Sequence, residues 1–243
     1  MTKNKLKIIL IIIISILILG LITTIIIKNN TDSNKFKREY EAYNNVPLTQ
    51  EKGNYIKLNI QKNNQIKYLN DDNIIKEIQK GNKIIYMGFP DCNWCRMILP
   101  VLLNTANENG IKEIYYYNFK NIRNDYYQGK TTNKAKTYEK LIKILDKNIE
   151  TTFEDGKNKG KKKLTAPTVL LVNQGKITNI HQGAVPTHKD YTKKLTKKEQ
   201  EELFKVYEDM MIELLLCDEN CKDQKQKMTK NKHKKLTKQQ IKM

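Results

Sequence analysis

The chain has 243 residues, 39% hydrophobic and 29% charged, with 45 Lys and Arg against 26 Asp and Glu and a net charge of +19. That length allows one or two domains with a sizeable core. The charge does not make a nucleic-acid binder, because no aromatic residues interleave with the basic runs as a single-strand binder needs, and the surplus of Lys, Asn and Ile is what AT-rich codons favour.

The elements begin with an apolar run. Residues 8–27, "IILIIIISILILGLITTIII", carry no charge, and twenty residues make a helix of about 30 Å, enough to cross a bilayer. The run is apolar on every face, unlike a buried core helix. A cleavable signal peptide is the competing reading, but no small-residue cleavage site follows. The expectation is an uncleaved signal anchor over residues 1–30. Lys3, Lys5 and Lys7 precede it and suggest a cytoplasmic amino terminus, and a long following domain translocates largely regardless of charge. The rest of the chain is therefore expected outside the cell membrane, single-pass, where paired cysteines are at home.

Residues 31–61 are polar and read as a spacer. Beyond them "IKYL", 66–69, predicts a short strand, and "DDNIIKEIQKGN", 71–82, a helix with Ile74, Ile75 and Ile78 at helical spacing. "KIIYMGF", 83–89, is a compact apolar strand. It runs into Cys92-Asn93-Trp94-Cys95 and a helix over 96–110, with Pro100 expected to kink it and Gly110 to stop it. "KEIYYYNF", 112–119, predicts a strand, 134–149 a helix, and 150–164 a charged loop. "TVLLV" and "KITNIH" form a hairpin turning at Asn173-Gln174-Gly175, and 196–216 is an amphipathic helix capped by Thr196 with Glu199. The last 22 residues, from Lys222, hold nine Lys and one Asp and read as a flexible basic tail that anionic lipid or wall polymer would attract.

A strand running into CxxC at the start of a helix is a redox context. Helix N–H groups and the dipole favour a thiolate at Cys92. Cys95, one turn on, points back toward it. Cys92 is thus the expected nucleophile and Cys95 the resolving thiol. Asp91 and Arg96 flank the pair and are expected to be partly exposed; either Arg96 favours the thiolate and Asp91 opposes it, or both are simply solvated.

"FPDCNWCR" and "TAPTVLLVNQGKI" together resemble the thioredoxin-like superfamily, across roughly residues 62–216. The wider run "GFPDCNWCRMILPVLL" looks most like membrane-anchored thioredoxin-like proteins of Gram-positive bacteria, some of them labelled bacteriocin-transport accessory proteins. The resemblance implies an α/β fold with a central mixed sheet flanked by helices, a domain over 62–221 with an insertion around 118–165, and no cofactor. It also implies that Pro167 is a cis-proline, and that Ala166, Pro167 and Trp94 bind substrate. The chain departs from the family in having Asn93-Trp94 between the cysteines. It also has Tyr86 where thioredoxin carries a buried Asp.

Cys217 and Cys221 form a second, acidic CxxxC. A local disulfide, a second redox pair, free or intermolecular thiols and a zinc site compete for it. Zinc is disfavoured because both pairs would have to share one tetrahedron, so no metal is expected. His181, His188 and His233 have no ligand spacing, and His181 reads as a strand residue rather than a proton shuttle. The expected function is a membrane-anchored thiol–disulfide oxidoreductase acting on exported proteins or a redox partner protein. The alternative is a non-enzymatic accessory module of an export system with a static CxxC disulfide.

Overall fold

In a computed structural model the described residues are 12–18, 20, 31–49, 52–154 and 158–217. The anchor expected over 8–27 lies largely outside them. Residues 12–18 are helical, and among the described residues no helix is long and apolar enough to cross a membrane. Cys221 and the tail from 222 also lie outside them.

Five strands form one mixed sheet: β1 (Ile66–Leu69), β2 (Lys83–Met87), β3 (Ile114–Tyr117), β4 (Thr168–Asn173) and β5 (Lys176–Gln182), in the order β1-β3-β2-β4-β5. β1, β3 and β2 are parallel, while β4 runs antiparallel to β2 and β5 antiparallel to β4. β2 and β4 are buried along their lengths, which is why they read as unbroken apolar runs rather than alternating ones. The hairpin turns through Gln174 and Gly175, both with positive φ. A Cβ on Gly175 would run into the backbone carbonyl of Gln79.

Six helices flank the sheet among the described residues: α1 (Asp32–Glu41), α2 (Ile74–Ile78), α3 (Asn93–Glu108), α4 (Lys120–Tyr127), α5 (Asn133–Leu145) and α6 (Lys197–Cys217). α3 and α6 pack together, and α1 joins their face by setting Phe36 and Tyr40 against Tyr86 and Tyr116. α2, α4 and α5 form the other layer. The capping box of α6 is present, with Glu199 accepting from the Thr196 N–H at 2.8 Å.

Two expectations are corrected. Residues 31–61 are no spacer. α1 is a helix capped by Thr31, and Phe36, Tyr40, Ile56, Leu58 and Ile60 all enter the core. Local polarity hid this, because the apolar residues are sparse and their partners lie far along the chain. Arg96 is not partly exposed but fully buried, because α1 and the segment after it close over it. The excursion after β3 is also more ordered than a loop. It begins with α4, whose short polar sequence gave only a weak helical signal, and continues into the expected helix, α5, and a 3-10 turn at Asp146–Asn148.

Candidate active site

The topology brings four chain segments to one end of the sheet. Met87, the last residue of β2, pairs with Tyr117 at the end of β3 and with Thr168 at the start of β4. Thr168 in turn pairs with Gln182 at the end of β5. The stretch after β2 is Gly88-Phe89-Pro90-Asp91-Cys92. It therefore emerges beside the entry to α4, beside Ala166-Pro167, and beside the loop that carries His188 and Tyr191.

Cys92 is the N-cap of α3. Its extended backbone aims Sγ back over the first turn, where the Cys95 N–H donates to it at 3.1 Å. An anion on that sulfur would gain the same hydrogen bond and the helix dipole. Cys92 and Cys95 are joined as a disulfide, with Cα atoms 5.1 Å apart. The two sulfurs are not equivalent. Cys92 retains 9% exposure and Cys95 none. Cys92 Sγ lies 3.7 Å from the Ala166 carbonyl oxygen, and the Ala166–Pro167 bond is cis.

Asn93 is buried and ties three segments together. Its Oδ1 accepts from the Ile56 N–H at 2.8 Å, and its Nδ2 donates to the Tyr191 carbonyl at 2.7 Å. Trp94 is partly buried. Its ring meets His188 edge-on at 5.9 Å, and Tyr191 lies 6.3 Å away. His188 is held by Glu199 at 3.1 Å and by the Asp190 carbonyl at 2.7 Å. Both ring nitrogens of this histidine are thus engaged, and the ring braces Trp94.

Arg96 donates from Nε to Ile56 O at 2.7 Å, from Nη1 to Tyr40 O and Pro90 O, and from Nη2 to Asn44 Oδ1 at 2.7 Å. All four acceptors are neutral. Burial draws its pKa below the usual value, while the nearby Tyr40, Tyr55 and Tyr86 phenols and the Glu41 carboxylate act the other way. The group remains cationic, because arginine is not deprotonated in proteins. On the opposite flank, Asp91 is paired with Lys120 of α4.

Tyr86 stands under Cys95. A Cβ on Gly88 would come within 2.7 Å of the Tyr86 hydroxyl and 3.0 Å of Cys95 Sγ, so hydroxyl and sulfur are no farther apart than those two distances together. Gly88 is thus required by close approach rather than by backbone conformation. The Tyr86 hydroxyl shares a hydrogen bond of 2.8 Å with that of Tyr40. Burial raises the Tyr86 pKa well above the ordinary phenol value, so it keeps its proton across the neutral range and cannot serve as the base that a carboxylate would be.

A cleft of about 370 Å³ opens over Cys92, bounded by Leu48, Tyr55, Phe89, Trp94, Arg123 and Tyr191. Of the residues singled out in the sequence, Cys92, Trp94 and Ala166 line this cleft, Cys95 is joined to Cys92 beneath it, and Pro167 follows Ala166 through the cis bond. Asn93 as a bridge, and Leu48, Tyr55 and Arg123 as lining, are not legible in the sequence. The one available signal was the Ile122, Tyr126 spacing in α4, which is i, i+4 but embedded in polar residues. Cys217 ends α6, whose first turn is tied to the Trp94 corner through Glu199 and His188. Its backbone is about 30 Å farther along the helix, so the fold does not bring it to Cys92. Searches against models of known protein families and against curated proteins match nothing to this chain.

Proposed function

We propose that this chain is a thioredoxin-like thiol–disulfide oxidoreductase, anchored in the cell membrane with its folded part outside. One observation carries the reading most. The cysteine at the helix start opens into a cleft, while its disulfide partner is sealed beneath it. That asymmetry supports attack at one sulfur and resolution by the other. In the oxidised form a substrate thiolate attacks Cys92 Sγ, the Cys92–Cys95 bond breaks, and Cys95 leaves as a thiolate. A second substrate thiolate then attacks the substrate sulfur of the mixed disulfide. This forms the substrate disulfide and releases Cys92 as a thiolate that the Cys95 N–H stabilises. The protein gains two electrons, the substrate loses two, and its thiol protons pass to solvent or to the protein thiols. Reduction of a substrate disulfide is the same sequence reversed. No bound cofactor is needed, since the sulfurs store the electrons.

Cys92→Ser is expected to abolish exchange with a peptide disulfide. Cys95→Ser is expected to accumulate a mixed disulfide through Cys92, read by mass spectrometry. A redox titration should place the pair within the roughly −120 to −270 mV range of known exchange catalysts. A pair that resists reduction until the protein unfolds would instead make it a static brace and sink the proposal.

A further inference from the structure

We propose that the cleft over Cys92 selects a partner-protein segment whose reacting cysteine is flanked by a carboxylate, and that Arg123 is the residue that reads it. The identity of the occupant as a cysteine segment rests on the exchange reading above. The selectivity rests on the cleft itself.

Two charged groups line the cleft, Asp91 and Arg123. They are not in the same condition. Asp91 is neutralised by Lys120. Among the described residues Arg123 has no carboxylate within ion-pair reach. Among those same residues its one side-chain hydrogen bond runs from Nη2 to Asn124 Oδ1 at 3.3 Å, and its buried Nε finds no acceptor. A guanidinium with an unused, sealed donor is poorly hydrated, and a poorly hydrated cation gains more from an arriving carboxylate than a solvated one does. The head is also held in place, 4.5 Å above the Phe89 ring and 5.6 Å from that of Tyr127. Little side-chain freedom is then left to lose on binding.

The one amide side chain in the cleft is already occupied. Asn93 spends its amide oxygen on Ile56 and its amide nitrogen on Tyr191. What remains beside the sulfur is mostly apolar surface, from Leu48, Phe89, Trp94 and the rings of Tyr55 and Tyr191, with Thr49 adding a small hydroxyl that carries no charge. The chemistry that fits is a short extended segment with an apolar side chain on one side of its cysteine and Asp or Glu on the other.

The test uses the oxidised full-length chain and three peptides that differ at one position, Glu, Gln or Lys, beside a Ser that replaces the cysteine. Binding is read from Trp94, the single tryptophan of the chain, which lines the cleft. At low salt the Glu peptide should bind about tenfold tighter than the Gln peptide, and the Lys peptide weakest, as one charge-assisted pair implies. Arg123→Gln should erase the difference, Arg123→Glu should reverse it, and Arg123→Lys, which keeps charge but not the fork, should retain part of it. Circular dichroism confirms that each variant is folded. Equal affinities for the Glu and Gln peptides, a preference that survives Arg123→Gln, or no binding up to millimolar peptide each overturn the proposal. So does peptide binding that is blocked at high protein concentration and restored by deleting residues 218–243, because the occupant would then be the tail of a second copy. Because Ser peptides cannot exchange, loss of charge selectivity with intact exchange sinks this inference alone. Charge selectivity without any exchange by the cysteine peptides sinks the redox reading alone.

Discussion

A guanidinium sealed inside a protein normally has a carboxylate against it, because burying an unpaired charge is costly. Arg96 departs from that rule. Its four acceptors are three backbone carbonyls and an amide oxygen. The positive charge is spread over dipoles and not cancelled by an ion. It sits one residue past Cys95, on the first turn of the helix that Cys92 caps, where a cation favours a thiolate. Arg96→Gln should slow alkylation of reduced Cys92 at neutral pH and cost about 3 kcal/mol of stability, because buried acceptors lose their donors. Arg96→Lys should lose stability too, since a point charge cannot fill four oriented acceptors, yet keep the alkylation rate near wild type. Stopped-flow alkylation against pH and urea melts measure the two effects. If Arg96→Gln alkylates as fast as wild type, the cation does not act on the sulfur. That Arg96 lies next to the motif is visible in "CNWCR". That it is buried is not, because its acceptors at Tyr40, Asn44 and Ile56 are 40 to 56 positions away.

At the scale of elements, the strands, the hairpin and the helix after the cysteines are all legible, since apolar runs and turn residues mark them locally. β4 and β5 fall where Pro167 and Asn173-Gln174-Gly175 punctuate the sequence. α1 and α4 are the misses. Each is short and highly charged, and each owes its place to long-range packing: Phe36 and Tyr40 against strand tyrosines, and Arg123 against Phe89. The fold makes a sharp demand of α1. A chain lacking residues 1–30 should fold, whereas one lacking 1–61 should not. The second deletion strips five core side chains and leaves Arg96 with a single remaining acceptor, Pro90 O. Far-ultraviolet circular dichroism and thermal melting of the two shortened chains distinguish these outcomes. A cooperative melt for the shorter chain would restore the spacer reading of 31–61.

The whole molecule should weaken in mild acid, for a reason that can be located. His181, on β5, packs edge-on to Tyr207 of α6 at 5.5 Å, and its buried Nε2 has no partner among the described residues. Burial holds its pKa below the ordinary 6.5. As pH falls from 6.5 toward that lower value, the unfolded chain takes up a proton that the folded chain refuses, so stability declines through this window and is level above it. Glu77 and Asp125, whose pKa values are held below the ordinary 4.5 and 3.8 by hydrogen bonds from Lys80 and Thr132 first, lose their contributions only at still lower pH. Melting temperatures at pH 7.5, 6.5 and 5.5 should drop in the last step for wild type, and much less for His181→Phe. An equal drop in both chains would place the acid sensitivity elsewhere.

The burial of α1 also determines how far the cleft can travel. Three residues, 28–30, separate the apolar run from Thr31, the cap of α1. A free stretch of thirty residues would have given an anchored domain a leash of up to about 100 Å. With α1 fastened to the sheet, that leash is gone. If the run anchors the protein as proposed, the cleft works within a domain's width of the bilayer. Its partners are then chains that are themselves at the membrane surface, caught as they emerge, and not proteins already adrift in the space beyond.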